Sequence, residues 1–152
     1  LIFITKSNGW FNYTDKRKIV LDGTDRGVLT TQTISNINNI DNRILTCPSS
    51  SYTGLFLFSS SSIDAATFST GSFKYGRVTN RSAVPVKLLV QTNGNSNYTF
   101  LINPSSTFFL SNTSTSGSAL PANSFTFNDY INEIQVQPSG SSATIEYFIA
   151  TT

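Results

Sequence analysis

The chain has 152 residues, a mass of 16.6 kDa and a formal net charge of +2, a length that suits one domain with a sizeable core. It holds no histidine, no methionine and a single cysteine, Cys47, which excludes Ser-His-Asp and Cys-His catalysis, imidazole metal ligation, an internal disulfide and a cysteine-based zinc site. Charged residues are 12%, while Ser, Thr and Asn together supply 58 of the 152, so the polar surface is made of hydroxyls and amides.

The pattern along the chain is β throughout. Short apolar and β-branched stretches are broken by Gly, Pro, Asn and Ser clusters. Leu1–Thr5 reads as a first strand and Trp10–Tyr13 as a short second one after the Asn8-Gly9 turn. Lys18–Leu21 stops at Asp22-Gly23, and the Thr-rich Val28–Ile34 follows. Ile34, Ile37 and Ile40 recur at a spacing of three, which fits a helical turn or an irregular loop dipping into the core. Arg43–Cys47 is a strand stopped by Pro48, and Leu55–Phe58 is a buried strand between serine-rich segments, with Ser59–Ser62 a loop by composition. Phe73–Asn80 is the next strand. Val84–Thr92 and Tyr98–Ile102 flank Asn93-Gly94-Asn95 as a hairpin. Thr107–Ser111 follows the Asn103–Ser106 turn, and Asn112–Ser124 is a long Ser/Thr loop. Ile131–Gln137 and Ala143–Ala150 flank Pro138-Ser139-Gly140 as a second hairpin.

Nine or ten short strands in one small unit imply an all-β antiparallel β-sandwich, jelly-roll-like, with a closed barrel as the second choice. The expected organisation is a single sandwich domain over 1–152, with 1–13 as an attachment segment. The apolar runs are far too short to span a bilayer, and Leu1–Ile4 lacks the length and flanks of a signal peptide. A chain that starts at Leu fits the removal of an initiator Met or a longer leader. Phe56, Phe58, Phe100, Phe108, Phe109, Phe125, Phe127 and Phe148 lie in or beside strands and are expected in the core. Cys47 is expected to pack as a small apolar side chain.

The chemistry-bearing candidates are few. Asp22 and Asp25 share a Gly-rich turn, where two carboxylates could help to bind Ca²⁺; turn formation alone also explains the Asp-Gly step. Glu133 and Glu146 sit on the strands of the last predicted hairpin, where a glycosidase-like pair competes with ordinary solvent-facing strand residues. Neither pattern carries an enzyme or a metal, and no catalytic residue, metal or cofactor is assigned. Glycosylation motifs at Asn12, Asn80, Asn97 and Asn112 match the roughly four that this composition gives by chance. Lys16-Arg17-Lys18 is too small a basic footprint for nucleic acid, and reads as a solvated strand entrance or a contact to an acidic surface. Trp10, Phe11 and Tyr13 could stack on sugars, anchor a partner or pack at an edge.

The stretches Lys74-Tyr75-Gly76-Arg77-Val78-Thr79-Asn80, Pro85-Val86-Lys87-Leu88-Leu89-Val90, Tyr98-Thr99-Phe100-Leu101-Ile102 and Ser105-Ser106-Thr107-Phe108-Phe109-Leu110-Ser111 have a common likeness. With Ile134-Gln135-Val136-Gln137, Ala143–Ala150 and the upstream Gly27–Ile34, they resemble short virion structural proteins found among the head genes of tailed phages, notably marine ones. The resemblance covers roughly residues 20–150 and leaves out Trp10 and the basic cluster. It implies a non-enzymatic capsid decoration, cement or head-fibre role on the capsid surface of a virion. The implied partners are the major capsid protein and other virion proteins, with no nucleic acid and no membrane.

A cement protein works by burying area across joints between subunits. A homo-oligomer is therefore expected, with a trimer favoured. The segment Leu1–Tyr13 could attach by adding a strand to a neighbour. The residues assigned to partner contact are Leu1, Phe3, Trp10, Tyr13, Lys16, Arg17 and Lys18. The first alternative is a carbohydrate-binding module or fibre-tip lectin using Trp10, Tyr13 and the Asn93–Asn97 loop, with surface glycans as ligands. The second is a jelly-roll capsid shell protein, for which this chain carries little positive charge to package a genome.

Overall fold

The computed structural model describes residues 2–7, 10–16, 20–27, 29–58, 66–68, 73–94, 96–111 and 130–152; for 2–7, 10–16, 21, 29–32, 58 and 66–68 it describes the backbone alone. Fourteen strands and no helix occur among these residues. Contacts divide the chain into two units, Leu1–Asn38 and Asn39–Thr152.

The first unit holds β1 (Ile2–Ser7), β2 (Trp10–Lys16) and β5 (Leu29–Ser35), an antiparallel sheet in the order β1-β2-β5. β1 meets β2 with Ser7 opposite Trp10, the spacing of a two-residue hairpin; the Asn8-Gly9 turn itself lies outside the described residues. β3 (Val20–Leu21) and β4 (Thr24–Asp25) form a small ribbon closed by Asp22-Gly23. Both turn residues have positive φ, 52° and 75°, the conformation that suits a tight hairpin and that Asp-Gly adopts readily. The isoleucine run is not a helix: Ile34 is on β5 and Ile37 in the loop that follows, where Asn36 takes a positive φ of 60°, and both isoleucines are buried.

The second unit is an all-β sandwich. Its strands are β6 (Asn39–Cys47), β7 (Thr53–Phe58), β8 (Ala66–Phe68), β9 (Phe73–Asn80), β10 (Val86–Thr92), β11 (Asn97–Ile102), β12 (Thr107–Ser111), β13 (Ile131–Pro138) and β14 (Ala143–Thr151). One sheet runs β12-β9-β14-β6 and the other β11-β10-β13-β7, with β8 added parallel to β7. Leaving β8 aside, every connection but β10–β11 passes from one sheet to the other, so eight strands wind into a jelly roll.

Alternation places the core between the sheets. Val86, Leu88 and Val90 of β10 face the same way as Ile134 and Val136 of β13, and Val78, Ile145, Tyr147 and Ile149 come from the other sheet. Each such side chain taken fully out of water contributes about 1.5–3 kcal/mol. Phe56 and Phe73 meet edge-to-face at 5.7 Å inside this core. Tyr75, Phe148 and Ala150 are buried too, but on the opposite parity, where the two rings meet edge-to-face at 5.9 Å.

Two expectations are corrected. β13 and β14 are not a hairpin: β13 pairs with β10 and β7, and β14 with β9 and β6. The Pro138–Gly140 corner, with Gly140 at φ 80°, turns the chain from one sheet to the other, and Ser139 N donates to Pro85 O there. Phe100 and Phe109 are not core residues; they are 38% and 43% exposed because β11 and β12 are edge strands. Phe125 and Phe127 lie outside the described residues, as do the Ser59–Ser62 and Asn112–Ser124 loops.

Candidate functional site

The residues assigned to partner contact fall on the first unit. Phe3 is on β1, opposite Thr14; Trp10, Tyr13 and Lys16 are on β2, opposite Ser35, Gln32 and Leu29 of β5. Leu1, Arg17 and Lys18 lie outside the described residues. Trp10 and Lys16 occupy one parity of β2 and Tyr13 the other, so Trp10 and Tyr13 are not at positions of one sheet face. Among the described residues β1 pairs with β2 alone, which makes it the last strand of its sheet.

A second surface, missed in the sequence, lies where β11 and β12 end the two sheets of the sandwich side by side. The Asn103–Ser106 turn joins them, with Ser105 at a positive φ of 58°. Phe100 and Phe108 close the gap between the sheets, ring centroids 4.7 Å apart. Leu101, 67% exposed, and Phe109 flank them on the two outer faces. Behind the stripe is an apolar cavity of about 130 Å³ lined by Val90, Tyr98, Phe100, Leu110 and Ile131. The signal was present in the sequence. Phe100-Leu101-Ile102 and Phe108-Phe109-Leu110 are apolar on both parities, which on an edge strand leaves apolar area facing water.

The carboxylates do not form an acid–base pair. Glu133 is on β13 and Glu146 on β14, in opposite sheets. Gln135 donates to Glu133, while Glu146 is held by Arg77 Nη2 at 2.8 Å and Arg81 Nη1 at 3.1 Å. Asp22 sits in the β3–β4 turn, and Asp25 Oδ1 accepts the Gly27 N–H at 2.8 Å, so both serve turns. No cluster of three or more metal-ligating side chains occurs among the described residues. Of the glycosylation motifs, Asn97 is exposed and Asn80 is fully buried. The Asn12 side chain and Asn112 lie outside the description.

Two buried acids have raised pKa values. Cys47 is fully buried, and loss of hydration pushes its thiol up. Tyr147 is raised strongly, first by burial and then by the hydrogen bond its hydroxyl donates to Asp41, which also accepts from Arg43 Nε at 3.0 Å. The folded chain therefore keeps both protons to higher pH than the unfolded chain, whose thiol and phenol titrate at about 8.5 and about 10. The stability they contribute is complete below those values and is lost as pH rises past them. Urea midpoints should accordingly fall between pH 8 and about pH 10.5, and fall less in Cys47→Ala/Tyr147→Phe; equal slopes for the two proteins would contradict the assignment.

No protein-family model, curated protein or solved structure matches the chain.

Proposed function

We propose that the chain is a non-enzymatic structural protein of a tailed-phage virion, decorating or cementing the capsid exterior as a homo-oligomer. The observation that carries this reading is the pair of adjacent edge strands, β11 and β12, with exposed Leu101, Phe100 and Phe109 set on a jelly roll. Jelly rolls recur in viral capsid proteins. Apolar stripes of this kind mark protein interfaces, and the cavity behind Phe100 offers a socket for a neighbour's side chain. β1, the last strand of its sheet among the described residues, supplies a second contact by strand addition. The hydroxyl- and amide-rich surface keeps the outward side soluble without charge. The reading is tested by association: Leu101→Glu/Phe109→Glu puts two charges on the stripe, each opposite a cation of the neighbouring strand, Lys87 and Arg77, and should abolish it while leaving the fold intact.

A further inference from the structure

At the other end of β10 from Pro85 the sheet opens into a polar cleft of about 140 Å³ lined by Gln91, Thr92, Asn97 and Asn132. Its shape comes from a register break. Gln91 is opposite Asn97 on β11 and Glu133 on β13, but the next residue, Thr92, is opposite Ile131. Asn132 is thus the extra residue of a β-bulge, a device that re-aims one side chain off the regular pleat. The turn beyond is held by Ser96 N donating to Thr92 Oγ1 at 3.3 Å. One register step further, Tyr130 and Asn93 are locked together: Asn93 N donates to Tyr130 O at 3.1 Å, and Tyr130 N to Asn93 Oδ1 at 2.8 Å. Tyr130 is 46% exposed.

The Gln91, Asn97 and Asn132 side chains hydrogen-bond to no other described residue. Each amide offers two donor hydrogens and an acceptor oxygen. A ligand that satisfies three such groups must both donate and accept, as vicinal hydroxyls do. The charged residue in the same register row is an acid, Glu133, which disfavours phosphate or carboxylate ligands. The cleft is smaller than the ~300–1,000 Å³ of sites that enclose a drug-sized ligand, so it suits one ring at a time. Tyr130 does not line the cleft, but it lies one register row beyond the Thr92–Ile131 pair and offers an exposed aromatic side chain for the apolar side of such a ring. We infer that this cleft binds a terminal neutral sugar, with Gln91, Asn97 and Asn132 reading its hydroxyls and Tyr130 packing beside them. The site shares no residue with the Leu101–Phe109 stripe and does not depend on the capsid reading.

The test is binding of the full chain to an array of neutral hexose and N-acetylhexosamine oligosaccharides beside sialylated and sulfated ones, followed by NMR titration of the best neutral glycan. Binding confined to neutral glycans is expected. Gln91→Ala and Asn132→Ala should each weaken it about tenfold, the loss of one or two hydrogen bonds, without moving the thermal midpoint. Tyr130→Phe should bind as the parent does and Tyr130→Ala should not. The inference is overturned if no neutral glycan binds, if only acidic ones do, or if the Gln91→Ala/Asn132→Ala double variant binds unchanged.

Discussion

Replacing Asn80 with alanine is expected to destabilise the sandwich by about 3 kcal/mol, because it breaks one buried and three half-buried hydrogen bonds to backbone groups at once. Asn80 ends β9 and is fully buried. Its Nδ2 donates to Val84 O at 2.7 Å, and to Ile102 O and Asn103 O at 3.2 Å each. Its Oδ1 accepts Ser82 N at 3.0 Å, an Asx-type turn onto its own chain. One side chain thus ties the β9–β10 corner to the β11–β12 corner, and Asn80 N adds a bond to Ser106 O. Asn80→Asp should be worse than alanine near neutral pH, since it removes the donors and buries a charge. Urea unfolding of the two variants checks this; a loss below about 1 kcal/mol for alanine would mean that water replaces the amide at little cost.

The second large effect is expected at Gly76, which sits in the middle of β9 opposite Ile149 and Leu110. A Cβ there would come within 2.8 Å of Phe73 Cζ and 3.0 Å of Cε2. Phe73 is buried and packs on Phe56, so its ring has little room to retreat. Gly76→Val should therefore cost about 3 kcal/mol and Gly76→Ala less, by overpacking. A double-mutant cycle identifies the cause. Phe73→Leu destabilises alone but should recover part of the loss when combined with Gly76→Ala. Additive losses would show that the clash is not what the glycine avoids.

The sandwich was legible because period-2 alternation and turn residues report local facts. Phe73–Asn80 and Thr107–Ser111 were read to the residue, and the Asn93–Asn95 hairpin pairs as expected. Pairing across sheets is not local. The Pro138–Gly140 corner has the residues of a hairpin turn, and only the pairing of β13 with β10 and of β14 with β9 shows that it is a crossover. Asn80 looked like a glycosylation motif because its burial depends on the distant Ile102 and Asn103 carbonyls. Phe100 and Phe109 read as core because apolar residues on both parities signal an exposed surface only where the strand is known to be an edge. The amide cleft was legible only as an Asn-rich loop. Asn132 joins it through a bulge, a register break that leaves no mark in the hydropathy pattern.

The reading of β11 and β12 as an assembly surface is tested most directly by the solution mass of the chain, measured by light scattering across a wide concentration range. A stable oligomer is predicted, a trimer before other states, and Leu101→Glu/Phe109→Glu, whose new charges face Lys87 and Arg77, should fall to the monomer mass and still unfold cooperatively. A parent protein that stays monomeric at every concentration, or a variant that keeps the parent's mass, would contradict it.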